Sequence, residues 1–158
     1  MLSNNITILN SMPNVTLVLN TTNVSSNRTE VNLTAYATTS DADNESVKVI
    51  YNWLRNGTSI TLLNMPFEGI NGTNYNNSRD YSGLQNHGNE TGAIVWNATG
   101  GYDGKGAYMF DGINDYIDLG DRDYFKSSLC INGCTFSAWA YKRDDTSQVL
   151  ICVKVLIQ

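Results

Sequence analysis

The sequence predicts an all-β fold, and three observations lead to that prediction. Val, Ile, Thr and aromatic residues recur in short runs that Asn, Asp and Gly interrupt, a pattern typical of many short strands and turns. Glutamate occurs only four times among 158 residues, and no stretch of ten residues carries the apolar period of a helix. Asn, Thr and Ser number 21, 15 and 13, so uncharged polar groups dominate the predicted surface.

The first part of the chain alternates apolar and polar residues, which predicts half-buried strands. Strands are expected over residues 14–21, 30–39, 47–53 and 59–63. Asn56-Gly57 separates the last two, and it predicts a two-residue hairpin turn because both positions of a type I′ turn need positive φ. Trp53 is the expected core residue of this part.

The second part resumes the alternation after a stretch that is rich in Gly, Asn and Asp. Strands are expected over residues 93–97, 107–110, 115–119, 135–141 and 149–157. Trp139 lies in the alternating segment F-S-A-W-A-Y, which predicts that its indole is buried in a central strand.

The charge and hydropathy of the chain exclude several classes of protein. The net charge is -5 and the pI is about 4.6, so nucleic-acid binding is not expected. The longest apolar run, 149–157, is too short for a membrane span, which needs about 20 residues. The first residues have no basic and apolar signal-peptide pattern, so no signal peptide is expected in this segment.

The strongest compositional signal is the sequon N-x-S/T, the acceptor of N-linked glycans in secreted chains. With 28 Ser or Thr among 158 residues, chance places about four sequons on 21 asparagines, but twelve asparagines lie in one. Accidental sequons in an Asn- and Thr-rich surface are the alternative. The sequon asparagines are Asn5, Asn14, Asn20, Asn23, Asn27, Asn32, Asn44, Asn56, Asn71, Asn76, Asn89 and Asn97. The excess predicts an extracellular or cell-surface glycoprotein.

Three cysteines fit an oxidising compartment. Cys130 and Cys134 frame the loop C-I-N-G-C, which permits a short-loop disulfide. Cys152 is then the third cysteine, without a counterpart in this pairing. Burial of the three thiols as small hydrophobic groups is the alternative.

Four segments of the second half resemble a laminin-G-like jelly roll of the concanavalin A-like lectin/glucanase superfamily. They are L-L-N-M-P-F-E-G (62–69), D-Y-S-G-L-Q-N-H-G (80–88), G-K-G-A-Y-M-F-D-G-I-N-D-Y-I-D-L (104–119) and T-F-S-A-W-A-Y (135–141). The segment Y-N-W-L-R-N-G around Trp53 resembles an immunoglobulin-like module. Such pairs of modules are expected in prokaryotic, especially archaeal, surface proteins.

The resemblance implies two domains, both incomplete. Residues 1–61 form a partial immunoglobulin-like sandwich, and residues 62–158 form a jelly-roll β-sandwich that is truncated at its C-terminal end. Unpaired strand edges, exposed apolar faces and poor solubility of the isolated chain are the expected consequences.

Calcium is the one expected cofactor. Asp111, Asn114 and Asp115 cluster at the F-D-G-I-N-D-Y turn, with Asp103 nearby, and oxygen ligands of this kind suit calcium. The resemblance implies calcium at a sandwich rim; plain turn formation is the alternative. Asp41 and Asp43 make a weaker case of the same kind.

Sugar binding and catalysis draw on different residues. The candidate sugar-binding aromatics are Tyr75, Tyr81, Trp96, Tyr102 and Tyr108. The paired carboxylates of a retaining glycosidase have no matching E-x-D-x-E motif, and the single histidine, His87, is expected to be a solvated turn residue. The chain is therefore not expected to be an enzyme.

These observations predict a non-catalytic recognition or adhesion module of a surface glycoprotein, with glycans or other surface proteins as partners. A structural spacer in a surface-layer or stalk protein is the alternative, and a glycosidase-related fragment comes third.

Overall fold

The computed structural model describes residues 10–21, 32–68, 78–122, 125 and 133–142, and the backbone of 150–157. The strands are β1 (Asn14–Thr21), β2 (Leu33–Ser40), β3 (Leu54–Arg55), β4 (Thr58–Ser59), β5 (Leu63–Met65), β6 (Asn89–Thr91), β7 (Val95–Asn97), β8 (Ala107–Met109), β9 (Tyr116–Asp118), β10 (Phe136–Lys142) and β11 (Leu150–Ile157). The all-β prediction is confirmed, since the described part of the chain is strand, turn and loop with almost no helix. Among these residues, no helix has the length and hydropathy to cross a membrane.

The chain divides into two compact units, residues 1–49 and 50–158. This division differs from the sequence-based boundary between 61 and 62. Side-chain amides account for the difference: Asn64 donates from Nδ2 to the carbonyl of Tyr51 at 2.8 Å, and Asn52 donates to the carbonyl of Ser82 at 3.0 Å. These bonds fasten the segment around Trp53 to the second unit.

The first unit contains an antiparallel ribbon of β1 and β2, with Asn14 opposite Ser40 and Thr21 opposite Leu33. Side chains alternate between the faces of a ribbon, so Leu17 and Ala37 share one apolar face with Leu19. Leu17 and Leu19 are each 58% exposed. The predicted strands and the expected exposed apolar face are present, whereas the half-burial that the alternation predicts for β1 is wrong, because residues 14–20 are all exposed.

The second unit contains small antiparallel sheets. The largest is three-stranded, in the order β10-β11-β5, and the pairs are β3-β4, β6-β9 and β7-β8. The predicted terminal strand is present as β11, which pairs with β10 along one edge and with β5 at residues 155–157 of the other. Unpaired edges were expected for this run, and the pairing contradicts that expectation for the β10 edge and for these three residues of the β5 edge.

The hairpin and the strand before it had different outcomes. Asn56 and Gly57 have φ of 51° and 79°, and Leu54 pairs with Ser59, so the predicted hairpin is confirmed. The predicted strand over 47–53 is wrong, since these residues lie in no sheet. Its Tyr51 carbonyl accepts a side-chain amide instead of a ladder bond.

The core of the second unit is small and centred on β5 and β8. Leu63, Met65, Phe67 and Tyr108 are each at most 2% exposed. The rings of Phe67 and Tyr108 meet edge to face, with centroids 5.0 Å apart, a favoured aromatic geometry. Partly buried side chains that pack around them are Leu62, Ile94, Trp96, Phe110, Ile117, Leu119 and Phe125.

Trp139 is not part of this core. Every residue of β10 is exposed, and the Trp139 side chain is 51% exposed. The sequence-based expectation of a buried central indole is therefore wrong. Strand alternation predicts that the ring shares a face with Tyr141, but alternation does not say whether that face is covered.

Candidate functional site

The D-x-S-G-x-x-N-x-G turn is organised by one buried carboxylate. Asp80 is 4% exposed, and it accepts the backbone amides of Asn64, Ser82 and Asn86 at 2.8 to 2.9 Å and the Ser82 hydroxyl at 2.6 Å. Charge-assisted bonds of this kind are the strong ones. The turn thus anchors β5 to the loop that follows it, and the role of Asp80 is structural.

His87 is half-buried rather than a solvated turn residue, because its ring is part of the same turn. Its Nδ1 accepts the backbone amide of Asp80 at 3.1 Å. In the neutral ring, this bond places the proton on Nε2, which is then a donor.

Ser78, Glu90 and Tyr108 form a second buried polar cluster. Both the Ser78 hydroxyl, at 2.9 Å, and the Tyr108 hydroxyl donate to Oε1 of Glu90. Ser78 and Tyr108 are at most 1% exposed. Glu90 lies in β6, and the bonds hold its side chain inward.

The predicted calcium residues form a turn held by backbone amides. Asp111 accepts the amide of Ile113 at 2.8 Å, and Asp115 accepts those of Ala93 and Asp111 at 2.7 and 2.9 Å. Asn114 donates its own amide to Asp111 at 3.4 Å. These bonds support the turn-forming alternative, and among the described residues no group of three metal-binding side chains is found. Calcium at this turn stays a prediction.

The weaker acidic candidate has the same character. Asp41 accepts the amide of Asp43 at 2.8 Å, and Asp43 accepts the amide of Ser11 at 2.6 Å. The Asp41 carboxylate thus closes a turn of the first unit, and the Asp43 carboxylate binds that turn to Ser11. In the second unit, the Asp103 carboxylate closes its own turn by accepting the amide of Lys105 at 3.3 Å.

Three of the predicted sugar-binding aromatics lie in buried or half-buried positions. Tyr108 is a core residue, and the Trp96 indole is half-buried and donates to the carbonyl of Phe67 at 2.8 Å. Tyr81 is half-buried beneath the Arg79 guanidinium, 5.4 Å from its ring centroid. Burial raises the pKa of the Tyr81 hydroxyl, although the Arg79 charge opposes that shift. Tyr75 lies outside the described residues.

Among the predicted aromatics that the structure describes, Tyr102 is the one that is exposed to solvent, and its ring has a stacking partner. Its side chain is 71% exposed, and its ring stacks on that of Trp139 with centroids 4.1 Å apart and an interplanar angle of 4°. The sequence does not indicate Trp139 as a candidate, because the F-S-A-W-A-Y alternation predicts a core position for it. The pair stands beside Tyr141, which is 62% exposed.

A groove of about 320 Å³ runs along these rings, and we call it the aromatic groove. Its lining residues are Gly100, Gly101, Tyr102, Trp139, Ala140 and Tyr141. The loop that presents Tyr102 is closed by bonds from the Gly101 amide to the Lys105 carbonyl at 2.7 Å and from the Gly104 amide to the Gly101 carbonyl at 2.9 Å. The lining thus combines three aromatic rings with three small residues.

A second opening of about 390 Å³ has a polar lining, and we call it the polar cavity. Its lining residues are Gln85, His87, Gly88, Asn89, Asp118, Leu119, Gly120 and Arg122. Both openings have the size of small-molecule sites, about 300–1,000 Å³.

The sequon asparagines are exposed wherever the structure describes them. They are Asn14, Asn20, Asn32, Asn44, Asn56, Asn89 and Asn97. Asn5, Asn23, Asn27, Asn71 and Asn76 lie outside the described residues. By contrast, Asn64 and Asn86, which are not in sequons, are 7% and 0% exposed and donate to backbone carbonyls. Every described sequon asparagine is therefore on the surface, although exposure is not confined to sequons, because Asn10 and Asn114 are exposed too.

Cys134 is disulfide-bonded. Its predicted partner, Cys130, lies outside the described residues, as does the side chain of Cys152. The pairing of Cys130 with Cys134 stays a prediction.

In comparisons with known proteins, no family model, no curated protein and no solved structure matches the chain.

Proposed function

We propose that this chain is a non-catalytic carbohydrate-recognition module of a secreted or cell-surface glycoprotein. The observation that carries the proposal is the stacked and exposed pair of Tyr102 and Trp139 beside an open groove. Exposed apolar patches that a folded chain maintains mark binding sites. Tyr and Trp rings, which carry a hydroxyl or an N–H at one edge, suit ligands with one apolar face and one hydrated polar face.

A pyranose ring is such a ligand, because its C–H groups form an apolar face and its hydroxyls point outward. The face of the Tyr102 ring that points away from Trp139 offers a surface for the C–H face of the sugar. The Tyr102 hydroxyl, which donates and accepts, and the Trp139 indole N–H, which donates, offer polar groups at the edge.

The extracellular location is supported by the exposed sequons and by the disulfide at Cys134, since disulfides persist in oxidising compartments. The immunoglobulin-like and jelly-roll assignments belong to this proposal, and they rest on the four segments and on the Trp53 segment quoted above. Calcium at Asp111 and Asp115 is an accessory part of it.

A structural spacer is the second candidate, and the spread of exposed sequons over both units favours it. A spacer needs a glycosylated surface but no ligand. The two candidates therefore differ in one property, which is whether the aromatic groove binds a glycan.

Replacing Tyr102 or Trp139 with Ala should lower the affinity for a glycan about tenfold or more, which corresponds to about 1.4 kcal/mol. Both side chains are exposed, so neither change should unfold the chain. The measurement is binding of the whole chain to a panel of immobilised neutral and acidic oligosaccharides, followed by calorimetric titration of the best ligand.

Tyr116→Ala is the matched control, because Tyr116 is 54% exposed and lines neither of the two openings. It should bind like the unchanged chain. Equal affinities for the Tyr102, Trp139 and Tyr116 variants would contradict the proposed site. A chain that binds no glycan of the panel would favour the spacer.

A further inference from the structure

The polar cavity lies directly beside a sequon. Asn89 opens β6, and its partner across the β6-β9 ladder is Asp118, the last residue of β9. Side chains of such partners point to the same face, with Cβ atoms about 4.5–5.5 Å apart. Both residues are exposed and both line the cavity, so a group attached to the Asn89 amide begins at the cavity wall.

The direction of the Asn89 side chain is fixed by the next residue. Glu90 is held inward by the hydroxyls of Ser78 and Tyr108. Successive side chains of a strand point to opposite faces, so the inward bonds of Glu90 turn Asn89 outward, toward Asp118.

The cavity presents both donors and acceptors on planar side chains. Arg122 supplies a guanidinium, and His87 contributes its imidazole to the lining. Asp118 supplies a carboxylate that the Gly120 amide orients at 2.8 Å. The positive charge of Arg122 and the negative charge of Asp118 lie in the same cavity, so neither a free anion nor a free cation is favoured there. A sugar suits this lining better, because each of its hydroxyls both donates and accepts hydrogen bonds.

We propose that an N-linked glycan on Asn89 folds back and that its first sugar ring occupies the polar cavity. This inference rests on the glycosylation that the proposed function includes. The glycan on Asn89 is then part of the folded surface, bound to Asp118, Arg122 and His87, while glycans on other sequons extend into solvent.

The chain offers a matched sequon for comparison. Asn97 is also an exposed strand residue of the second unit, at the end of β7, and it lines neither the polar cavity nor the aromatic groove. Its Oδ1 accepts the amide of Thr99 at 3.0 Å within its own turn. A glycan on Asn97 should therefore be free.

The test uses the whole chain from a secretory eukaryotic host, which links N-acetylglucosamine to sequon asparagines. Mass spectrometry gives the occupancy of each sequon, and peptide:N-glycosidase acting on the native protein gives the rate of glycan release at each. The Asn89 glycan should be released at least tenfold more slowly than the Asn97 glycan. Arg122→Gln and Asp118→Asn should each raise the Asn89 rate toward the Asn97 rate and leave occupancy unchanged.

The outcomes separate the two proposals. Equal release rates at Asn89 and Asn97, slow release that survives both substitutions, or an empty Asn89 beside an occupied Asn97 would overturn only this inference. A chain with no glycan on any sequon would overturn the glycoprotein proposal and this inference with it.

Discussion

Asp80→Ala is expected to lower the free energy of unfolding by at least about 3 kcal/mol. The substitution leaves three backbone amides, those of Asn64, Ser82 and Asn86, without the carboxylate that accepts them. A buried donor without a partner costs about 1–3 kcal/mol, and the whole stability of a domain is only about 5–15 kcal/mol. Equilibrium denaturation followed by tryptophan fluorescence measures the loss.

Asp103→Ala is the control for this change. Asp103 is exposed and accepts the amide of Lys105 at 3.3 Å, so its loss should cost less than about 1 kcal/mol. Equal destabilisation by the two substitutions would show that the Asp80 turn does not hold the second unit together.

Gly106→Ala is expected to lower the free energy of unfolding by about 3 kcal/mol. A Cβ at this buried position would overlap the carbonyl oxygen of Phe67 and lie 3.0 Å from Nε1 of Trp96. The indole N–H donates to that same carbonyl at 2.8 Å, so relief of the overlap breaks a buried bond. Overpacking of this kind costs about 1–3 kcal/mol before the lost bond is added.

Gly100→Ala is the matched control, because the atoms nearest to its Cβ belong to the exposed Asn97 side chain, at 3.0 to 3.1 Å, and not to buried backbone. A shift of a few tenths of an ångström at this exposed position relieves the contact without breaking a buried bond. Thermal unfolding should show a much lower midpoint for the Gly106 variant and a nearly unchanged midpoint for the Gly100 variant. Similar midpoints would mean that the Phe67, Gly106 and Trp96 contact is not tightly packed.

The parts of the fold that sequence could predict are those with local signals. The alternation of residues 14–21 gave β1 at its observed bounds, and Asn56-Gly57 gave the hairpin, because a two-residue period and a positive φ are read from neighbouring residues. The strand over 47–53 failed because the Tyr51 carbonyl is satisfied by Asn64, a distant side chain. Local alternation carries no information about such a bond.

The candidate site was predictable only in part for a similar reason. Tyr102 was among the sugar-binding candidates, but its partner Trp139 is far away in sequence and was assigned to the core. His87 was misjudged in the opposite direction, since it was expected to be solvated and is half-buried. Its neighbour Asn86 is fully buried in a turn where asparagine is ordinarily exposed. Which face of a strand is covered depends on the whole topology, and the residues of that strand alone do not determine it.

The most direct test of the carbohydrate-recognition proposal is a titration of the ¹⁵N-labelled chain with the best oligosaccharide, followed through its three tryptophan indole N–H resonances. Trp139 is exposed in the aromatic groove, whereas the Trp96 indole is bonded to the Phe67 carbonyl and Trp53 lies in another part of the second unit. The proposal predicts a saturable shift of the Trp139 resonance, with Trp53 and Trp96 unmoved, and loss of that shift in Tyr102→Ala. Shifts confined to Trp53 or Trp96, or saturation without any movement of Trp139, would contradict it.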